Sequence, residues 1–414
     1  MPGKSVLPES GDAGPRAASS ATLAALSVPN FRRYVSGQSL SLIGTWVETV
    51  AQALLVLHLT HSGTILGLTT AARYGPILLL SPYAGLLVDR YAKRHILLVT
   101  QTGLGLVSAA LGLAVLAGEI RLWQIFVLAL FFGTFSAVDN PARQAFVQEV
   151  VGRGLIRNAV TLNSTTVNVA RVIGPTIAAV LVTTIGIGWC FVVNAVSFAF
   201  VIASLLSLDA ARLHPVPPVH RHRGQLRAGL RYAARVPAIA RPLLMMAIVG
   251  TFTFEFEVSL PLLARTTFHG GNTTYSWLLA GLGAGAVAGG LYAARYARTG
   301  VARLAMASVF YAISVGFVAV APTLPIAIVA CVLTGAASIA FLTTGNSTIQ
   351  LASEPDYRGR VTALWSMALV GSTPIGSPAV GALSDLAGPR YALVLGAAAC
   401  VAAAVVGFWP ARSA

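Results

Sequence analysis

Gly85-Leu86-Leu87-Val88-Asp89-Arg90-Tyr91-Ala92-Lys93-Arg94 separates two long apolar runs. The first run closes on a glycine. An acid follows, then three cations, and the second run starts at Ile96. A short charged hairpin between two stretches, each able to cross a hydrocarbon core about 30 Å thick, belongs to a multi-span membrane protein.

The rest of the chain repeats that pattern. Of its 414 residues, 56% are hydrophobic and only 10% are charged, against about 25% charged in soluble domains. Apolar runs place spans near 31–58, 63–88, 95–117, 121–142, 157–185 and 187–208. After a polar stretch come 241–264, 273–296, 301–321, 323–349, 358–384 and 389–410. The expected fold is an all-α membrane protein with twelve transmembrane helices in two six-helix pseudo-repeats. Residues 1–28, polar and without an apolar core, read as a disordered cytoplasmic tail.

Charge sets the orientation. With both termini in the cytoplasm, 23 of the 28 Lys and Arg fall on that side, and three (Arg121, Arg265, Arg390) fall opposite. Arg73 and Arg171 remain inside spans. One missed helix would invert every later loop, so the split supports the span count. The net charge of +15 is then topology plus attraction to anionic lipid in the plasma membrane, and nucleic acid is not an expected partner. Cys190, Cys331 and Cys400 sit in apolar stretches and form neither a disulfide framework nor a metal site.

The polar stretch divides the chain into an N-terminal six-helix bundle over 29–210, a linker over 211–240 and a C-terminal bundle over 241–414. In the linker, prolines and histidines precede Leu226, Leu230, Ala233 and Ala234, which alternate with Arg227, Arg231 and Arg235 at helical spacing. That is a basic amphipathic helix for the inner membrane surface. His214, His220 and His222 lack regular ligand spacing. The halves echo one another at an offset of about 202: Asn158–Ser164 aligns with Arg360–Ser366, and Gly174 with Gly376. At a slightly larger offset Gly85 aligns with Gly290 and Arg90 with Arg295; the second copy of the turn lacks the acid.

A parallel repeat of six spans joined by a cytoplasmic linker is how major facilitator transporters are built. The chain resembles that superfamily over nearly its whole length. The Gly85–Arg94 turn is similar to the family's loop between spans two and three, with Ala92 where many members carry Gly. Pro141–Ala145 after span four, Asn158–Thr165, and Arg171 to Pro175 resemble the branch of enterobactin exporters and macrolide-efflux proteins. Gly174-Pro175 is also similar to the antiporter motif of span five, although Ala178 and Ala179 replace its paired glycines. That segment is associated with export in the family.

Ionisable groups inside spans are costly and carry functional hypotheses. Glu48 lies in span one, Glu255 and Glu257 in span seven, Arg73 in span two and Arg171 in span five. The resemblance puts spans one and seven on the central cavity. Glu48 is the first candidate for proton coupling, with a structural pair to Arg73 or Arg171 as the alternative. Glu255 and Glu257 are two apart and point about 200° from each other, so one cavity cannot receive both. Arg171 suits an anionic substrate or a structural charge. The resemblance also implies that Asp89 meets the inner end of span eleven, near Arg358 and Arg360. Arg90, Arg94, Asp139 and Arg143 join a gating network that forms when the inner side closes. Gly174, Pro175, Gly281, Gly285 and Gly289 are read as helix-packing positions.

Gly281, Gly283 and Gly285 superficially resemble a nucleotide loop but lie within a span, and no G-x-x-x-x-G-K-[ST] occurs. The resulting expectation is a monomeric secondary transporter with no enzymatic activity, catalytic residue, cofactor or metal. Its partners are a small-molecule substrate, protons and the lipid bilayer. It exports a small amphipathic or aromatic compound, of drug or siderophore type, by alternating access. An importer of a nutrient or siderophore, a lipid flippase and a membrane sensor stay open as alternatives.

Overall fold

Every expected apolar run is helical in the computed structural model, which describes residues 24–214, 225–296 and 299–409. Most of the expected tail, the Pro- and His-bearing part of the linker (215–224), Arg298 and the last residues lie outside that range. The elements are α1 (Pro29–Thr60), α2 (Gly63–Arg90), α3 (Lys93–Leu116), α4 (Leu122–Gly152), α5 (Gly154–Thr184) and α6 (Ile187–Leu206). The linker contributes α7 (Gln225–Arg235). Then come α8 (Pro237–Thr267), α9 (Asn272–Tyr296), α10 (Val301–Val320), α11 (Leu324–Ala352), α12 (Pro355–Val370), α13 (Thr373–Ala387) and α14 (Pro389–Phe408). Ten of these are long and apolar enough to cross a membrane. The twelve spans are completed by α2 and by α12 with α13, which together make span eleven.

Local chemistry sets the boundaries. Pro29, Pro237 and Pro389 open α1, α8 and α14, where a missing N–H costs nothing. His61 ends α1 in the left-handed region at φ 56°. Gly152, at φ 70° and ψ 178°, splits an otherwise continuous helix into α4 and α5. Consequently α4 runs ten residues past the expected end at 142, and Pro141–Ala145 lies within the helix rather than after it. The extension persists because Phe146, Val147, Val150 and Val151 bury against Phe31 and Tyr34. Polar residues between them lower the hydropathy without breaking the helical stripe.

The two pseudo-repeats show in their closest contacts. Gly174 of α5 packs on Trp46 and the Ile43 carbonyl of α1. Gly376 of α13, the position aligned with it, packs on the Thr251 carbonyl of α8. In each half the same glycine lets span five or eleven touch the backbone of span one or seven. Between the halves, α2 runs along α13 and α5 along α9. The linker helix α7 seats on α12: Tyr232 stacks on Tyr357 at 4.1 Å, and its hydroxyl accepts the Glu354 N–H at 3.0 Å.

Candidate functional site

Span seven does not pass straight through. The helix of α8 stops at Phe252 and restarts at Phe256, so Thr253, Phe254 and Glu255 form a break near mid-span. Glu257 falls in the first turn of the restarted segment, where the dipole and free N–H groups favour a carboxylate. Interrupted helices are a recurring way to build binding sites inside transporters.

The two acids of this break diverge. Glu255 is buried and turned towards α13, where the Ser377 hydroxyl donates to Oε2. Glu257 turns to the space between the halves, and Tyr74 of α2 donates to its Oε1 at 3.1 Å. Arg73 lines the same cavity as Glu257 and Tyr74, and Arg171 of α5 lies against Trp46, another lining residue. Each guanidinium is backed by an aromatic ring: Arg73 lies 4.0 Å from the Phe132 centroid and Arg171 5.3 Å from that of Trp46. The Arg171 Nε and the hydroxyls of Tyr275 and Tyr311 are buried without a hydrogen-bond partner among the described residues. Beyond them an aromatic run of Tyr311, Phe341 and Trp365 has centroid spacings of 6.3 and 6.5 Å.

A cavity of about 180 Å³ starts at Glu257, Tyr74 and Arg73 and reaches Ser41, Asp139 and Arg143. Glu48 does not line it. That acid is 1% exposed and lies behind the wall. Ser108 of α3 and Asn194 of α6 both donate to its Oε2, at 2.5 and 2.6 Å, and Arg73 stands 3.7 Å from Oε1. Arg73 also donates to Gln52 at 2.6 Å. Arg73 is thus the intramembrane arginine beside Glu48.

The residues read as a gate spread over several roles. Asp139 is buried, accepts from Thr100 and Gln101 at 2.8 Å each, and lies 3.8 Å from Arg143. Arg94 donates to the Leu205 and Leu206 carbonyls, satisfying the C-terminus of α6. Lys93 pairs with Glu149 at 3.0 Å. Asp89 is half-buried and Arg90 exposed. Among the described residues, Arg358 donates to the Gln350 carbonyl, while Arg360 lies over Tyr357 and beside Gly229. Accordingly α2 scarcely touches α12, although it packs closely on α13.

At the other end of the bundle the halves are tied together. Asp385, in the last turn of α13, accepts the N–H groups of Gly63 and Thr64 at 2.6 and 2.9 Å. The hydroxyls of Ser62 and Thr64 donate to its Oδ2 at 2.8 Å each. Arg265 of α8 donates to the Leu57 carbonyl of α1. Neither Asp385 nor Tyr74 stands out in the sequence as a site residue. The available signals were an acid at the cation-poor end and a tyrosine beside an intramembrane arginine.

Residues 20–411 match the family model described as "Transmembrane secretion effector". The chain belongs to that family of major facilitator transporters. Similar curated proteins include the enterobactin exporter EntS of Shigella boydii serotype 4 (strain Sb227) and that of Escherichia coli O9:H4 (strain HS). Each is 26% identical over 364 residues, covering 87% of this chain and 86% of the relative. Among solved structures, a D-xylose–proton symporter superposes with a TM-score of 0.72 at 12% identity, covering 91% of this chain and 98% of its own. An inward-facing, unoccupied bacterial homologue of the human lysosomal transporter Spinster gives 0.68 at 15% identity, covering 93% and 94%. These structures share the fold. The chain is therefore a multi-pass membrane transporter, not an enzyme.

Proposed function

We propose that this transporter is a proton-coupled exporter of a small amphipathic aromatic compound bearing an anionic group. It works by alternating access in the plasma membrane, with both termini and the basic end in the cytoplasm. The observation that carries the reading is the hydrogen bond from Tyr74 to Glu257, made across the two halves and flanked by two arginines. A carboxylate at that junction changes its surroundings whenever the halves move, and such a change is what shifts proton affinity. Arg73 and Arg171 offer charge to an anion, and Trp46 and Tyr74, which line the cavity, offer ring faces. In the cycle the Glu257 carboxylate accepts hydrogen bonds from substrate hydroxyls, and a proton arriving from the outer face removes that acceptor and releases the compound, so substrate and proton occupy the site in turn. The distal end is tied by Asp385 while the cavity extends towards the basic end, which fits the cytoplasm-facing state in which an exporter loads. Similarity to enterobactin exporters supports a catecholate-like substrate.

Everted membrane vesicles with an acidified lumen test this reading. Lumenal accumulation of enterobactin or a dye-type drug that collapses with an uncoupler is the expected result. Accumulation only in right-side-out vesicles would make the protein an importer.

A further inference from the structure

A second, larger concavity lies on the outer side of the C-terminal half, among α9, α10 and α11, with a volume of about 770 Å³. Its origin is a seam of small residues. Gly285 packs on the Val332 carbonyl, Gly289 on Ala336, and Gly335 on the Leu282 carbonyl. Backbones of α9 and α11 therefore touch, and α10 stands beside them over a trough floored by Ala336, Ala337 and Ala340. The wall from α10 is apolar and open: Phe310, Ile313 and Phe317 are each more than half exposed.

The two ends of the trough differ. Arg303, in the first turn of α10, stands at the basic end with Thr343, Thr344 and Ser347 of α11. Arg303 is exposed and has no ion-pair partner among the described residues. From Arg303 to Phe317 the helix rises about 21 Å at 1.5 Å per residue. That distance exceeds one leaflet of a hydrocarbon core about 30 Å thick. A cation with hydroxyls at the surface and an apolar slot reaching past mid-leaflet complement a phosphate attached to an acyl chain. A second copy of this chain fits poorly, because its net charge of +15 repels at the same basic end.

We propose that the α9–α10–α11 trough binds an anionic phospholipid of the leaflet at the basic end. The phosphate sits on Arg303 and the hydroxyls of α11, and one acyl chain lies along Phe310 and Phe317.

Native mass spectrometry of the full-length protein offered equal phosphatidylglycerol and phosphatidylcholine, with matched acyl chains, tests the site. The wild type is expected to retain one phosphatidylglycerol with at least about fivefold preference, the scale of roughly 1 kcal/mol per surface cation. Arg303→Gln should lose the preference while still carrying lipid, and Arg303→Lys should keep it. Ala337→Phe, which fills the trough, should lose the retained lipid altogether while staying monodisperse. Equal retention of both lipids by the wild type, unchanged preference in Arg303→Gln, or a lipid-free dimer abolished by Ala337→Phe would overturn the proposal.

Discussion

Asp385 Oδ1 accepts the backbone N–H of Gly63 at 2.6 Å, joining the end of span eleven to the start of span two across the two halves. The carboxylate acts as a helix cap supplied in trans. Removing an N-cap acceptor costs about 1 kcal/mol, which corresponds to roughly a fivefold change in a two-state population. Asp385→Ala should therefore raise the distal-open fraction about fivefold. Spin labels at Leu59 and Leu386 would report it as a longer distance component; unchanged distributions would remove the latch.

Glu48 and Arg73 should behave as a structural pair. Leaving a buried charge alone costs about 3–5 kcal/mol, whereas replacing both partners often costs far less. Glu48→Ala should lower thermal stability strongly, and Glu48→Gln with Arg73→Gln should recover much of the loss. Additive losses in the double variant would contradict the pairing.

That pair also shows where sequence reading stops. Apolar runs, the sided distribution of Lys and Arg, and the offset of about 202 made the helices and the pseudo-repeat legible, because each is a property of local composition. Glu48 was legible as an unusual acid. Its donors were not, since Ser108 and Asn194 are 60 and 146 residues away and come from other helices. The rotation of each helix decides whether an acid faces the cavity or its wall. At Glu255 and Glu257 the break in α8 sets that rotation, and apolar periodicity carries no trace of it. The role of Asp385 was not legible, because the start of span two and a distant acid meet only in the folded bundle.

Gly376 offers a packing test. A methyl group there would enter the Thr251 carbonyl, so Gly376→Ala should cost about 1–3 kcal/mol of stability. Gly359→Ala meets nothing nearby and should be neutral or slightly stabilising. Equal melting temperatures for both variants would show that the α8–α13 contact is loose.

Asp89 serves the opposite end. In the proposed cycle it meets Arg358 or Arg360 when the basic end closes, so Asp89→Asn should slow net transport and enrich the basic-open state. Proteolysis or labelling of cysteines placed along α12 would read that shift, and unaltered accessibility with normal transport would leave Asp89 outside the gate.

The most direct test of coupling is Glu257→Gln in everted vesicles, with lumenal acid-driven accumulation and substrate counterflow measured on the same preparation. Glutamine keeps an acceptor for Tyr74 but carries no titrating proton. Counterflow should persist while acid-driven accumulation is lost. Acid-driven accumulation at the wild-type level would contradict a coupling role for Glu257.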